Sequence, residues 1–392
     1  MTWFSKRLSW VLMLASATLF YLPLSTRALW NSDEGRYAEI AREMLELRDW
    51  VSPHLNYGLY FEKPPMMYWL TSLSFLVFGP TAFAARFWCA TFGLLTVGVT
   101  YLIGKHWRFE RAGLLAGGIL ATSFGFFFLT QFLVLDMALT FWMTLALYAA
   151  SRILQERSPD AVKRYANLLA VAIAGGILTK GLVAIIFPIG VLGITLAYTR
   201  LGVQTRKIPW HQIFLVTAVL AAPWFILVSL HHPSFIPFFF IHEHFARFLT
   251  TIHHRAAPMY FFIPVLLVGF LPWSVFLPKV IISALKNHGT ALKRDPVMAL
   301  LMIWSLFILV FFSISHSKLA GYILPVFPAL ALLVSNSFEE ALDDAEPARW
   351  VEWGLINIIV ILIAGLCVLK LPLSDSFFSD PIRWRSGGIQ EC

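Results

Sequence analysis

The stretch PMMYWLTSLSFLVF, residues 65–78, decides how this chain is arranged in a membrane. It has about 14 residues, whereas a transmembrane helix needs roughly 20 apolar residues to cross about 30 Å of hydrocarbon. If the stretch lies in the interface, the basic loops that follow it share the side of Lys6 and Arg7. The positive-inside rule makes that side cytoplasmic, and a crossing would put those loops outside. We therefore predict an interfacial helix at 65–78.

The composition places the rest of the chain in a bilayer. Of the 392 residues, 58% are hydrophobic and only 13% are charged, and the mean hydropathy is +0.72. Soluble domains carry about 25% charged residues, so a soluble fold could not hide this much apolar surface. The net charge of +8 does not indicate a nucleic-acid partner, because the basic residues are scattered between apolar segments and form no single stripe. Membrane lipids are the expected surroundings.

Apolar runs between charged residues predict an all-α fold, a polytopic bundle of about eleven transmembrane helices within residues 1–371. A short outer tail would occupy residues 372–392. The first run follows Lys6 and Arg7 without a clean cleavage site, so we interpret it as a retained span and not as a signal peptide. The predicted spans lie near 8–25, 81–104, 112–131, 137–154, 166–179, 182–199, 211–231, 259–278, 297–314, 319–337 and 351–370.

This arrangement gives two long outer loops, near 26–80 and 232–258, and long loops often carry function. Cys89, Cys367 and Cys392 form neither a metal-binding pattern nor a disulfide framework. Nearly all of the ionisable residues that suit chemistry fall on the outer side, namely Asp33, Glu34, Glu62, Lys63, Asp136, Lys180, the 242–254 loop and Lys318.

The first outer loop begins ALWNSDEGRYAEIAREMLELRDW, which predicts an amphipathic helix along the membrane surface. Its apolar face would carry Tyr37, Ile40, Ala41, Met44 and Leu47, opposite Glu39, Arg42, Glu43 and Glu46. Two interpretations of its start stay open. In one, Asn31 caps the helix and Glu34 closes a capping box. In the other, Asp33 is a general base that takes a proton from an acceptor hydroxyl.

The same loop ends in FEKPPMMYW, where Glu62 and Lys63 precede two prolines that hold the backbone extended. The pair is either a surface ion pair or a metal ligand beside a phosphate-binding cation. Asp136 lies at the outer junction of two apolar segments, a costly position unless it is paired or faces water. Lys180 and Lys318 also lie at outer ends of spans, where lysine can simply extend to the headgroups.

The second long loop reads FIHEHFARFLTTIHHRAAP and is rich in histidine. These histidines could bind a divalent metal together with Glu62, although histidines in an interfacial loop are more often not ligands. Arginines of this loop could grip a phosphate. The candidate metal ligands are Glu62 with His242 and His244, and the candidate phosphate-binding arginines are Arg247 and Arg255.

In this order, SDEGRYAEIAREM, EKPPMMYW, LDMALTFW, LTKG, HEHFARF and SKLAGYILPVFPAL make the sequence resemble the bacterial 4-amino-4-deoxy-L-arabinose lipid A transferases. These belong to the superfamily that includes protein O-mannosyltransferases. The resemblance covers nearly the whole chain. It implies a GT-C-type enzyme of the bacterial inner membrane with its active site facing the periplasm. Such an enzyme takes a sugar from a polyprenyl phosphate and passes it to lipid A, another glycan or a protein.

The resemblance also implies roles for individual residues. Asp33 would be the base or would orient the acceptor, and Glu34, Arg36 and Asp136 would shape the sugar and acceptor sites. A divalent cation would sit on Glu62 and His242 or His244. The donor phosphate would be held by Lys63, Lys180, Arg247 and Lys318, with Tyr322 as a hydroxyl donor beside it.

Two further expectations follow. Members of the resembled family usually continue into further spans or an outer soluble domain, so we expect that domain to be missing after the tail at 372–392. The alternative to an enzyme is a lipid or sugar transporter, which would place ionisable groups near the bilayer midplane along a path. The clustering of charges at one predicted membrane face favours the enzyme.

Overall fold

The computed structural model describes residues 2–30, 32–201, 207–239, 257–286 and 293–343, with single positions between 351 and 359. These residues are almost entirely helical. The strands among them form one short antiparallel hairpin, β1 at His54–Leu55 and β2 at Gly58–Leu59. The predicted all-α class is confirmed.

Helices α1 to α14 follow one another through the described residues, with short 3-10 segments at Met259–Phe261, Trp273–Phe276 and Ala320–Val326. The helices are α1 Thr2–Tyr21, α2 Ser32–Leu47, α3 Met66–Phe78, α4 Ala82–Trp107, α5 Glu110–Ala121, α6 Phe124–Thr130, α7 Leu135–Gln155, α8 Pro159–Lys180, α9 Val183–Tyr198, α10 Trp210–His231, α11 Phe262–Gly269, α12 Leu277–Lys286, α13 Pro296–Ile314 and α14 Phe327–Asp343.

Six helices in the described part of the chain are long and apolar enough to cross a membrane. They are α4, α7, α8, α10, α13 and the continuous segment Ala320–Ala341. Two bent helix pairs raise the number to eight if each pair forms one span. The predicted span at 351–370 falls largely outside the described residues, and the count of eleven stays a prediction.

The two bent pairs differ from the continuous spans predicted from the sequence. Near 259–278 the chain bends by 112°, and near 112–131 it bends by 67°. Pro272 explains the first bend, because proline lacks a backbone N–H and disfavours helical backbone in the residue before it. A Cβ atom added to Gly125 would lie only 2.9 Å from Gly269 Cα. The two glycines thus let α6 and α11 approach closely.

The two ends of the bundle carry different ionic contacts. Near the start of α4, Arg86 pairs with Glu34 of the first outer loop. At the opposite end of α4, Arg108 pairs with Asp295 at 2.9 Å, and Asp295 also caps α13. The basic connection between α4 and α5 therefore lies at the end away from the acidic pair, as the predicted topology requires.

Helix α3 has 13 residues, which gives a length of about 20 Å at 1.5 Å per residue. This is shorter than the hydrocarbon core of a bilayer. One face packs on α2, where the Ser72 hydroxyl donates to the Ala41 carbonyl oxygen at 2.8 Å. The other face exposes apolar side chains, including Leu76 and Val77. These features support the predicted interfacial position.

Candidate active site

Glu34 is the most heavily bonded carboxylate at the outer end of the bundle. It is fully buried, and Arg86, also fully buried, donates to both of its oxygens at 2.8 and 2.9 Å. The backbone N–H groups of Trp30 and Leu133 donate at 3.0 Å each, and Arg27 adds a fifth bond at 3.0 Å. Burial alone would raise the pKa of Glu34, but the Arg86 and backbone hydrogen bonds hold it below its usual value. The carboxylate stays ionised in place.

This environment corrects the sequence prediction for Glu34. A carboxylate with no exposed surface and five donors cannot contact a sugar or acceptor. The capping interpretation comes closer, because Glu34 accepts a backbone N–H from just before α2. Asn31, the proposed cap, lies outside the described residues. Glu34 therefore holds the loop to the bundle, and the role predicted for its neighbour Asp33 stays a prediction.

Asp33 directly precedes Glu34 on α2. Its side chain is 31% exposed, and its carboxylate pairs with the Arg36 guanidinium at 3.4 Å. Tyr37, one turn further along α2 than Asp33, is buried. Burial raises the pKa of Tyr37 well above its usual value, and the charges of Asp33 and Asp136 raise it further. Both carboxylates thus lie within electrostatic range of one buried hydroxyl group, as the predicted common outer side requires.

Asp136 and Lys180 form a direct ion pair. Asp136 starts α7, Lys180 ends α8, and the Lys180 ammonium donates to the Asp136 carboxylate at 2.5 Å. The same ammonium lies 4.6 Å from the centre of the Tyr322 ring. A Cβ atom added to Gly321 would lie 3.0 Å from Asp136 Oδ2, so a larger residue here would require the Asp136 side chain to shift. Three of the predicted site residues, Asp136, Lys180 and Tyr322, therefore lie next to one another.

Lys318 makes a local contact. Its side chain is buried, and its ammonium donates to the carbonyl oxygen of Ser315 within the same turn. That contact supports the connection between α13 and the Ala320–Val326 segment. Nothing in the described residues brings Lys318 to the Asp136–Lys180 pair, so its assignment to a donor phosphate stays a prediction.

Glu62 and Lys63 lie where the first outer loop meets α10. The Tyr60 hydroxyl donates to Glu62 Oε2 at 2.9 Å, and the Lys63 ammonium donates to the Glu62 carbonyl oxygen at 2.7 Å. The ring of the preceding Phe61 packs against Phe235, with the ring centres 5.4 Å apart. Because Phe235 follows α10 at the start of the second outer loop, this part of the first loop packs against the beginning of the second.

The predicted partners of Glu62 in the second loop lie outside the described residues. These are His242 and His244, and the arginines predicted to bind phosphate, Arg247 and Arg255, lie outside the described residues as well. Within the described part of the chain, no group of three metal-ligating side chains occurs. The predicted metal set therefore stays a prediction, and of its members the structure describes Glu62.

The polar face predicted for α2 is wrong at two positions. Glu39 and Glu43 are buried, not exposed. Arg42 donates to Glu39 at 2.7 and 3.0 Å, and the Tyr57 N–H donates to Glu43 Oε2 at 3.0 Å. The β1–β2 hairpin folds over this face, a tertiary contact that helical periodicity alone does not indicate.

The buried Glu43 gives a prediction for pH dependence. Burial, reinforced by Glu39 and partly offset by the Tyr57 N–H, raises the pKa of Glu43. The folded protein then keeps a proton that the unfolded chain has lost, so stability falls as pH rises from the usual glutamate pKa through the raised one. Glu43→Gln should remove this fall and raise the melting temperature at neutral pH.

Thermal unfolding in detergent at about pH 4.5 and about pH 7.5 measures the effect, since these values bracket the titration window. Glu46→Gln is the matched control, because the Glu46 side chain is 49% exposed on the same helix. Equal pH slopes for wild type and Glu43→Gln would contradict the prediction.

Arg86, Arg27 and Tyr60 are the important residues that the sequence interpretation missed. Arg86 was detectable, because an arginine within the apolar run that starts at Ala82 needs a partner. Arg27 and Tyr60 carry no such signal. Their contacts depend on how residues 24–62 fold back on the bundle.

Comparison with known proteins identifies the family. The family model for dolichyl-phosphate-mannose-protein mannosyltransferases matches residues 3–239, more than half of the chain. The chain belongs to this family. Within it, the chain is similar to proteins named undecaprenyl phosphate-α-4-amino-4-deoxy-L-arabinose arabinosyl transferases, which confirms the resemblance drawn from the motifs.

Two of these relatives come from Pectobacterium atrosepticum and Pectobacterium carotovorum, at 37% and 38% identity over 84% and 92% of this chain. The chain spans 59% and 65% of their lengths. A relative from Aeromonas salmonicida is 34% identical over 96% of this chain and 68% of its own. Most of this chain therefore aligns with proteins that are longer than it is.

Solved structures agree with this family placement. A crystal structure of ArnT from Cupriavidus metallidurans bound to undecaprenyl phosphate is 34% identical, covers 94% of this chain and 67% of its own, and has a TM-score of 0.83. The archaeal oligosaccharyltransferase AglB from Archaeoglobus fulgidus has 15% identity and a TM-score of 0.58, covering 91% of this chain and 54% of its own. The second likeness shows the GT-C fold alone.

Proposed function

We propose that this protein is an integral membrane glycosyltransferase that moves a sugar from a polyprenyl phosphate to an acceptor at the membrane surface. The observation that carries the proposal is the cluster at one end of the bundle, where Asp33 and Asp136 approach Tyr37 and Lys180 pairs with Asp136. The chain is similar to ArnT crystallised with undecaprenyl phosphate, which supports a lipid phosphate donor.

The chemistry requires a base on one side of the sugar and positive charge on the other. The acceptor hydroxyl oxygen attacks the anomeric carbon while its proton passes to the Asp33 carboxylate. The bond from that carbon to the phosphate oxygen breaks, and the polyprenyl phosphate leaves with the electron pair. Lys63, with Arg247 from the second loop, would stabilise the departing charge. A single displacement of this kind inverts the anomeric centre.

Asp136 and Lys180 would line the sugar-binding site. The ion pair fixes both side chains at the start of α7 and the end of α8. Both are mostly buried but keep some exposed surface, 18% for Asp136 and 17% for Lys180. The Asp136 carboxylate can accept a hydrogen bond from a sugar hydroxyl, and the Lys180 ammonium can donate one to it. Tyr322 would cover the pair from the side.

An apolar groove next to this cluster suits a lipid chain. It has a volume of about 430 Å³ and lies between α6, α11 and the Ala320–Val326 segment, with almost entirely apolar walls. Gly321, which lines the groove, also touches Asp136. A polyprenyl chain in this groove would bring its phosphate end to the sugar site.

We also propose that a divalent cation binds at Glu62. This partly exposed carboxylate fits one oxygen ligand, and His242 or His244 would complete the site. The cation would add positive charge near the departing phosphate. The proton transfer to Asp33 does not depend on it.

The proposed donor sugar is aminoarabinose, which the names of the relatives contain. The proposed acceptor is lipid A, as the motif resemblance implies. A protein hydroxyl is the second candidate acceptor, because the matching family model describes protein mannosyltransferases. A transporter is not favoured, since the described ionisable groups of the cluster gather at one end of the bundle.

The test supplies the purified full chain in nanodiscs with undecaprenyl-phosphate aminoarabinose and lipid A, and detects the modified lipid by mass spectrometry. Parallel reactions replace lipid A with a serine- and threonine-rich peptide. Sugar-modified lipid A supports the proposed acceptor, and modified peptide supports the second. Movement of the donor across sealed vesicles with no glycosidic product in any reaction would contradict the enzyme.

The proposed location is the bacterial inner membrane, with the cluster facing the periplasm. Asn56→Cys at the exposed hairpin tip should react with an impermeant maleimide added to intact spheroplasts, in a background without native cysteines. Ser158→Cys, exposed between α7 and α8 at the opposite end, should react only after lysis. The reverse pattern would place the cluster in the cytoplasm.

A further inference from the structure

His232 follows directly after helix α10 and contacts the first outer loop on both sides of the β1–β2 hairpin. Its backbone N–H donates to the Val228 carbonyl oxygen at 2.8 Å, which closes the last turn of α10. Its Nε2 atom and the hydroxyl of Ser52, before the hairpin, share a hydrogen bond of 3.0 Å. Its ring packs against Phe61, after the hairpin, with the ring centres 5.2 Å apart. One side chain therefore joins the end of α10 to both flanks of the hairpin.

The bond between Ser52 and His232 lies beside an apolar contact. Val51, the residue before Ser52, packs on the apolar cluster that contains Trp224 of α10, and the Trp224 indole N–H donates to the Val51 carbonyl oxygen at 2.9 Å. Ser52 itself is only 2% exposed. Because it is shielded from water, an alignment of the loop that breaks its bond to His232 gains no bond to solvent in return. The polar pair thus favours one alignment of the loop on α10.

Phe61 transmits this alignment to the charged pair that follows it. Its ring contacts His232 on α10 and also packs against Phe235, so it is held by the end of the helix and by the residues just beyond. The Lys63 ammonium donates to the Glu62 carbonyl oxygen at 2.7 Å, which ties the lysine side chain to the backbone next to Phe61. The two prolines that come next restrict that backbone further. The position of Lys63 therefore depends on that of Phe61.

We propose that His232 is a positioning residue that sets Lys63 at the phosphate end of the site, through Ser52 and Phe61. The inference rests on the proposed function, which assigns Lys63 to the donor phosphate. His232 acts through the hairpin and the Phe61 ring and not through contact with a substrate. Its loss should therefore weaken the binding of a polyprenyl phosphate only as long as Lys63 is present to be misplaced.

The first test measures the hydrogen bond without using substrates. Melting temperatures are compared for wild type, Ser52→Ala, His232→Phe and the double variant, in detergent at neutral pH. Phenylalanine keeps an aromatic ring against Phe61 and removes the bond. Because both single changes break the same bond, the double variant should lose less than the sum of the single losses. Ser229→Ala is the matched control: the Ser229 hydroxyl donates to the Phe225 carbonyl oxygen within α10, so its loss should add to that of His232→Phe.

The second test measures binding of undecaprenyl phosphate to the purified full chain by native mass spectrometry. His232→Phe and Ser52→Ala should each raise the Kd about tenfold, within the range expected when a binding group is misplaced. Lys63→Gln should also raise the Kd, and adding His232→Phe to it should change the Kd by less than about twofold, because the misplaced group is already absent. His231→Phe, at the exposed neighbouring position, should bind like wild type.

Three results would overturn the inference: additive melting-temperature losses for Ser52→Ala and His232→Phe, a wild-type Kd in His232→Phe, or an equally large effect of His232→Phe in the Lys63→Gln background. The last result would mean that His232 supports the fold without acting through Lys63. A failure of the proposed function looks different, because wild type then binds undecaprenyl phosphate and transfers no sugar from its aminoarabinose derivative. The binding comparison would still decide the role of His232. Absence of binding by wild type would overturn both.

Discussion

Asp33→Asn is expected to lower sugar transfer by about 10²- to 10⁴-fold, the range typical for loss of a general base. The asparagine keeps the size of the side chain and can still accept a bond from Arg36, but it cannot take a proton from the acceptor. The side chain is 31% exposed, so the substitution buries no new polar group. Folding should be unaffected, and the loss should appear in kcat with lipid A as acceptor.

Asp49→Asn is the matched control in the same loop. Asp49 Oδ1 accepts the backbone N–H groups of Val51 and Ser52, and an asparagine oxygen can do the same. This variant should keep near wild-type transfer. Turnover by Asp33→Asn within about twofold of wild type would remove Asp33 as the base, since general-base catalysis contributes far more than that.

Arg86→Met should cost about 3–5 kcal/mol of stability, as expected when one partner of a buried ion pair is removed. Glu34 would stay buried with its strongest donor missing. Arg86 also donates to the carbonyl oxygens of Leu24, Arg27 and Ala28 at 2.8 to 2.9 Å, so the loop before α2 would lose its attachment to α4 as well. A large fall in the melting temperature in detergent is the expected readout.

Lys105→Met provides the comparison for a more exposed ion pair. The Lys105 and Glu110 side chains are 38% and 26% exposed, and pairs of that kind contribute about 1 kcal/mol or less. The variant combining Arg86→Met with Glu34→Leu should recover part of the lost stability, because it removes the unpaired buried charge. An unchanged melting temperature for Arg86→Met would show that the pair does not hold the loop.

Much of the arrangement could be predicted from the sequence because it depends on local periodicity and on charge. The apolar runs predicted helices at the positions of α4, α7, α8, α10 and α13. The distribution of basic loops predicted that Asp136 and Lys180 would share an end with Asp33. Their direct pairing could not be predicted, because it depends on the packing angle between α7 and α8.

The errors arose where a residue's partner is distant in sequence. Glu34 and Asp33 are adjacent and chemically alike. Glu34 differs in the groups that bind it, chiefly Arg86, which is about 50 positions away in the sequence. Glu39 and Glu43 were misplaced because the hairpin covers them. The bend near Ser123 depends on packing between half-length helices, which apolar composition does not report, whereas Pro272 was a local signal for the other bend.

The hydrogen bonds that hold Glu34 also limit how the site can move. Asp33 shares a helical turn with a residue fixed by five hydrogen bonds to four different segments or side chains. Its side chain can therefore rotate about its own bonds, while its backbone stays fixed relative to α4 and α7. If Asp33 is the base of the proposed function, any closing motion around bound substrates would come from the parts of the site that face it. Asp33 would then be a fixed point toward which the substrates move.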